Sequence, residues 1–152
     1  MLEVSFPSNT FRIREDKGKE YIFDGIRKRW VRLTPEEWVR QNVIQFLVLV
    51  KQIPAALISV EKEILLNGIK KRFDILIFDE DHQPKILVEC KSMEVDLQSN
   101  VLEQVMRYHV SVPVPYLLLT NGSYTYGWEK KEHQFVPLKD WQFLSKELGE
   151  TA

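Results

Sequence analysis

Arg72-Phe73-Asp74-Ile75-Leu76-Ile77-Phe78, a polar loop, then Lys85-Ile86-Leu87-Val88-Glu89-Cys90-Lys91 decides how this chain is read. Two apolar runs flank a turn, as strands of a hairpin do. Each carries charge where a buried strand should not, and buried charge persists only when it is paired or holds a cation. Pairing Phe78 with Lys85 across the loop Asp79–Pro84 places Asp74 directly opposite Glu89. Opposed residues have Cβ atoms about 4.5–5.5 Å apart, close enough for two carboxylates to share one divalent cation. Glu89 and Lys91, two residues apart, point to the same sheet face as Asp74, whereas Cys90 points the other way.

That cluster has a chemical reading and a structural one. Asp74, Glu89 and the Cys90 backbone carbonyl would hold Mg²⁺ or Mn²⁺ with waters left over, and such a metal activates water and polarises a phosphate. Lys91 would stabilise the charge that develops on the phosphate or orient the attacking water. Alternatively, Lys91 forms a structural ion pair with Asp74 or Glu89 at a sheet edge.

Working outward, Thr34-Pro35-Glu36-Glu37 opens a helix, with Thr34 as N-cap, Pro35 at the first helical position and Glu37 completing a capping box. The spacing of Val39, Val43, Phe46, Leu47 and Val50 carries this helix to about Gln52, before Pro54. Leu57–Leu66 reads as a strand ending at the Asn67-Gly68 turn. Val101, Leu102, Val105 and His109 mark an amphipathic helix over about 96–110, and Tyr116–Thr120 is a short apolar strand. Upstream, Thr10–Arg14, Tyr21–Asp24 and Trp30–Leu33 read as strands. Downstream, Tyr124–Trp128 and Gln134–Val136 pair as a hairpin before a helix over 139–148. The expected architecture is mixed α/β: one domain over 1–152, with an N-terminal strand extension over 1–33, a core over 34–122, and a C-terminal hairpin and helix over 123–152.

Gln104 and Tyr108 stand four apart on the second helix, flanking its apolar stripe. With Asp74 and Glu89-Cys90-Lys91 they resemble the PD-(D/E)xK nucleases, in the RecB-like branch with a Q-x-x-x-Y helix. The nearest resemblance is to the N-terminal nuclease domain of type I restriction enzyme R subunits. It runs from Thr34 to Gly122 through Pro35–Arg40, Arg72–Ile75, Val88–Lys91, Gln104–Tyr108 and Thr120-Asn121-Gly122. The resemblance implies a restriction-endonuclease-like mixed sheet with an antiparallel three-strand meander flanked by helices, and a Mg²⁺-dependent DNA endonuclease. It implies metal ligation by Asp74 and Glu89, Lys91 as the catalytic lysine, and Gln104 and Tyr108 holding the site or the DNA backbone. The acidic residue of the first helix maps to Glu36 or Glu37; Arg40 and Arg72 are candidate phosphate or carboxylate partners. Phe73 stands where the family usually has Pro. The alternative within the same fold is a nucleic-acid-binding or assembly module with little catalysis, acting as a homodimer or in a larger restriction or repair complex.

Bulk properties set outer limits. The 152 residues are 44% apolar and 28% charged, as in ordinary globular proteins. The 21 basic and 22 acidic residues nearly cancel, but residues 10–32 hold eight basic against four acidic, a patch for phosphate contact or simply a solvated face. A single cysteine fits a reducing cytoplasm, and no run is long enough to span a membrane. No phosphate-binding G-x-x-x-x-G-K-[ST] motif occurs, so the ATPase motor of a type I restriction enzyme is not expected. His82, His109 and His133 lack zinc-ligand spacing and read as solvent-exposed or packing residues; Trp30, Trp38, Trp128 and Trp141 are too scattered for a stacking platform.

Overall fold

In the computed structural model, residues 1–8 and 10–147 are described. The first helix, α1 (Pro35–Gln45), starts as expected: Thr34 is extended at the N-cap and its hydroxyl accepts from the Glu37 amide at 3.0 Å. The other half of the capping box does not form, because the Glu37 carboxylate turns into the protein. From Phe46 to Val50 the helix widens into a π-helical turn, with the Lys51 amide donating to the Phe46 carbonyl. The widening rotates the last residues: Phe46 and Leu47 are buried, whereas Val50, expected on the apolar stripe, is 45% exposed.

The expected long strand over 57–66 is broken at Glu61, whose φ is +51°. β4 (Ile58–Val60) joins the main sheet; β5 (Glu63–Leu66) and β6 (Ile69–Arg72) form a separate hairpin across Asn67-Gly68. Both turn residues have positive φ (+48° and +77°), as a tight hairpin turn requires. β7 (Ile75–Phe78) and β8 (Pro84–Cys90) then pair antiparallel, with Ile75 opposite Val88 and Ile77 opposite Ile86. A bulge puts Phe78 opposite Pro84 rather than Lys85, but it lies at the far end and leaves the register at the Asp74 end intact.

α2 (Ser99–His109) crosses over to β9 (Tyr116–Thr120), which runs parallel to β8, as a helical crossover demands. β10 (Thr125–Lys131) and β11 (Gln134–Pro137) continue the same sheet beyond β9, followed by α3 (Gln142–Glu147). The six strands lie in the order β11-β10-β9-β8-β7-β4. The result is a mixed α/β restriction-endonuclease-like fold whose antiparallel three-strand unit is β4-β7-β8.

Strand alternation divides the core. Ile75, Ile77, Ile86, Val88, Cys90 and Leu118 pack beneath Val39 and Val43 of α1 and Leu47 of the π-helical turn. Leu76, Leu87, Leu117 and Leu119 face Val101, Leu102 and Val105 of α2. Glu89 follows Leu87 by two positions and so emerges on the α2 side, at the end of the sheet. A second sheet, β1 (Ile13–Asp16), β2 (Lys19–Asp24) and β3 (Arg29–Arg32), precedes α1, with β1 starting three residues later than expected.

Candidate active site

Asp74 sits immediately before β7 and joins the two layers. Its Oδ2 accepts from the Cys90 amide at 2.7 Å, so the carboxylate takes a place in the β7–β8 ladder. Its Oδ1 accepts from Arg40 Nη2 at 2.8 Å, which ties the strand to α1. The Asp74 carbonyl also accepts from the Glu61 amide at 3.1 Å.

Arg40 is the hub of this region and is only 6% exposed. Its Nη2 also contacts Glu61 Oε1 at 2.8 Å and Glu36 Oε1 at 3.1 Å, while Nη1 donates to Glu37 Oε1 at 2.7 Å. Burial alone would lower the guanidinium pKa, but the carboxylates of Glu37, Asp74 and Glu61 outweigh it and push the pKa up. Behind Arg40, Glu37 also accepts from Arg27 (2.8 Å) and Gln41 (3.1 Å). Arg27 and Gln41 in turn bind the fully buried Asp24. Of the two candidate helix acids, Glu37 therefore points into a buried network, while Glu36 lies toward Glu89 and contributes to the field there.

Glu89 lies next to Asp74. Burial first, then the neighbouring Asp74 charge and a hydrogen bond with Asp74, push its pKa up to about 8, against the opposing pull of Lys91. Its Oε1 is 3.3 Å from Nε2 of His109. Burial, then the charges of Lys71 and Lys130, depress the histidine to about 4. Near neutral pH the pair is thus an uncharged imidazole against a protonated carboxyl, not an ion pair. His109 is 4% exposed, and its ring is edge-on to Tyr108 and tilted against Phe73.

A cleft of about 330 Å³ opens over these groups, lined by Arg72, Glu89, Lys91, Gln104, Tyr108 and His109 with Val101 and Val105. Lys71, on the β5–β6 hairpin, places its ammonium 3.6 Å from the centre of the Tyr108 ring. Glu89, Lys91, Gln104 and Tyr108 are therefore brought together in one cleft, and Asp74 reaches Glu89 from its margin. Lys91 makes no ion pair with Asp74 or Glu89 among the described residues; Arg40 takes the counter-ion position at Asp74. Arg40 was a candidate carboxylate partner, but its place as a buried hub has no signal in the sequence, where a helical arginine beside two glutamates reads as surface pairing. The contact of His109 with Glu89 has none either, since a lone histidine reads as packing.

Residues 35–141, which contain every one of these side chains except Asp24 and Arg27, match the family model of the type I restriction enzyme R protein N terminus. The chain belongs to that family. For this restriction-enzyme N-terminal domain the family supports a nuclease-related role. The match takes in α1, the six-stranded sheet and α2, and leaves β1–β3 outside. No curated protein matches the chain. No helix among the described residues is long and apolar enough to cross a membrane.

Proposed function

We propose that this domain is a DNA endonuclease of the PD-(D/E)xK type that works with Mg²⁺ or Mn²⁺. The observation that carries the reading is the convergence of Asp74 and Glu89 at the end of β7–β8 beside Lys91, in the cleft formed with Gln104 and Tyr108. The donor set suits a hard cation: two carboxylates and, by position, the Cys90 carbonyl, with the remaining coordination left to water. Among the described residues no group of three or more His, Cys, Asp or Glu side chains is placed to hold a metal ion, so Asp74 and Glu89 would be the side-chain ligands and water would complete the shell. Burial first, and then the adjoining Asp74 carboxylate, keep a proton on Glu89; the Asp74 part of that effect supports the assignment, since a cation between the two would displace the proton.

A bound divalent ion supplies a Lewis acid for the phosphate and a water of lowered pKa. The rest falls to the chain's own groups. Glu89 has to give up its proton before it can bind a cation. Lys91 offers an ammonium to the negative charge that grows on the phosphate oxygens. Gln104 and Tyr108 present an amide and a phenol to the DNA backbone, and Arg72 extends the cationic wall. Arg40 holds Asp74 in place, and Glu36 adds negative potential at the site's edge.

The reading is tested by cleavage of supercoiled and branched DNA with Mg²⁺ or Mn²⁺, comparing wild type with Lys91→Ala and Asp74→Ala. Loss of cleavage in both supports it; cleavage that survives both substitutions refutes the site. One observation favours a second reading, a DNA-binding or assembly module with little catalysis: Arg40 already neutralises Asp74. Wild-type protein that never cuts, alone or as part of a restriction complex, would select that alternative.

A further inference from the structure

The β1–β3 sheet lies ahead of residue 35, so the restriction-enzyme likeness does not account for it. Its register sorts charge. On β2, Ile22 and Asp24 are buried against the body, which leaves Lys19, Tyr21 and Phe23 on the outward face. Tyr21 pairs with Arg14 on one side and Arg32 on the other, and Phe23 pairs with Trp30. The Arg12 guanidinium lies 4.6 Å from the Phe23 ring centre, and that of Arg14 4.5 Å from the Trp30 ring centre. Four exposed cations, Arg12, Arg14, Lys19 and Arg32, thus share one face with three aromatic rings. The one acid on that face is Asp16, while Glu15 and Glu20 are paired with each other on the opposite face. Facing two glutamates across an antiparallel pair is unfavourable, so this segregation of charge costs stability. No described carboxylate forms an ion pair with Arg12, Arg14, Lys19 or Arg32.

We infer that this outward face binds the phosphate backbone of duplex DNA. Lying over Phe23 and Trp30 holds the two guanidinium groups on this face, and without a carboxylate partner their N–H donors suit phosphate oxygens. Because the arginines cover those rings, the face has little room to stack bases, and its contacts are sequence-independent. The platform is also tied to α1, the helix whose Arg40 holds Asp74. Asp24 and Arg27, at the β2–β3 connection, bond to Gln41 and Glu37 of α1, and Phe11 packs edge-on against Trp38 at 5.2 Å. The choice of DNA as ligand rests on the nuclease reading; the surface itself rests on the register and the stacking.

The test is fluorescence anisotropy of the full chain with a labelled random-sequence duplex in EDTA, over about 50–200 mM salt. Arg12→Ser/Arg14→Ser/Arg32→Ser should weaken binding at least about tenfold and lower the salt slope by about 0.9 for each phosphate no longer neutralised. Lys19→Glu, at an exposed strand start with no packing role, should weaken binding in the same direction. Arg12→Lys/Arg14→Lys/Arg32→Lys should keep most of the slope. Unchanged affinity and slope in both the serine triple variant and Lys19→Glu overturns the inference, and leaves an acidic protein or anionic lipid as the partner to seek. Cleavage separates the two readings. Unchanged binding in a protein that cuts refutes the surface and spares the nuclease. Weakened binding in the variants of a protein that never cuts does the reverse.

Discussion

Arg40 Nη2 and Asp74 Oδ1 lie 2.8 Å apart across 34 residues of sequence, and through this contact α1 fixes the acid at the start of β7. The same guanidinium also serves Glu36, Glu37 and Glu61, so removing it strands several carboxylates at once. Breaking a buried ionic cluster by deleting one partner costs about 3–5 kcal/mol. Arg40→Met should lose that much in urea unfolding. Arg40→Lys should recover only part, since one ammonium cannot reproduce a planar fork of donors. The double variant Arg40→Met/Asp74→Asn should be less destabilised than the sum of the two single changes. Additive losses would mean that the pair carries no energy of its own.

Stability without metal should fall as pH rises from about 6.5 to 8. Glu89 is raised in the folded state to about 8 from 4.5, so between those values the folded protein holds a proton that the unfolded chain has lost. Stability therefore decreases with pH across that interval. His109, depressed to about 4 from 6.5, acts in the opposite sense below 6.5 and offsets Glu89 there. Above 6.5 the histidine no longer offsets Glu89, and the loss from Glu89 should reach up to about 2 kcal/mol by pH 8. Urea titrations in EDTA at the two pH values check this, with Glu89→Gln as the control in which the decline should disappear. A decline that persists in the glutamine variant assigns it elsewhere.

Divalent ions should raise the melting temperature of wild type and do so more strongly toward pH 8, as Glu89 gives up its proton. Ligand at about 100 times its Kd adds about 2.7 kcal/mol to the stability of the folded state. Mn²⁺ should shift wild type and Lys91→Ala, but not Asp74→Asn or Glu89→Gln. Equal shifts in all four proteins would place the ion outside the Asp74–Glu89 pair.

Gly127 on β10 has no room for a side chain. A Cβ there would lie 2.7 Å from Leu118 Cδ2 and 2.8 Å from Leu2 Cδ1. Gly127→Ala should therefore overpack the sheet where the N-terminal segment crosses it, at a cost of about 1–3 kcal/mol. The denaturation midpoint should drop with the m-value unchanged; a midpoint equal to wild type would show that Leu2 moves aside freely.

The proximity of Asp74 and Glu89 was legible because strand alternation has a period of two and the bulge lies at the other end of the hairpin, near Phe78. The Thr34 cap and β9 were legible for similarly local reasons. The hub was not. Glu36, Glu37 and Arg40 have the spacing of ordinary helical ion pairs, and only the distant Asp74 and Glu61 make that arginine a buried one. Glu61 was hidden inside an apparent strand, because nothing local announces its positive φ. His109 ends the amphipathic stripe of α2, and its contact with Glu89 depends on a helix crossing that periodicity cannot specify. β10 and β11 read as a free-standing hairpin because their partnership with β9 is set by tertiary pairing.

The widened turn at Phe46–Val50 gives the first helix a sensitivity to length rather than to spelling. Upstream, Glu37, Arg40 and Gln41 are aimed into the buried charge network; downstream, Leu47 and Ile53 are aimed at the core. Each α-helical residue turns the chain by about 100°, so a single deletion in between would leave only one of these two sets correctly aimed. Substitutions among Phe46–Val50 alter packing by degrees, whereas a one-codon insertion or deletion would separate a folded core from an assembled site. The count of residues between Arg40 and Ile53 is thus a constraint in its own right, enforced by geometry at both ends.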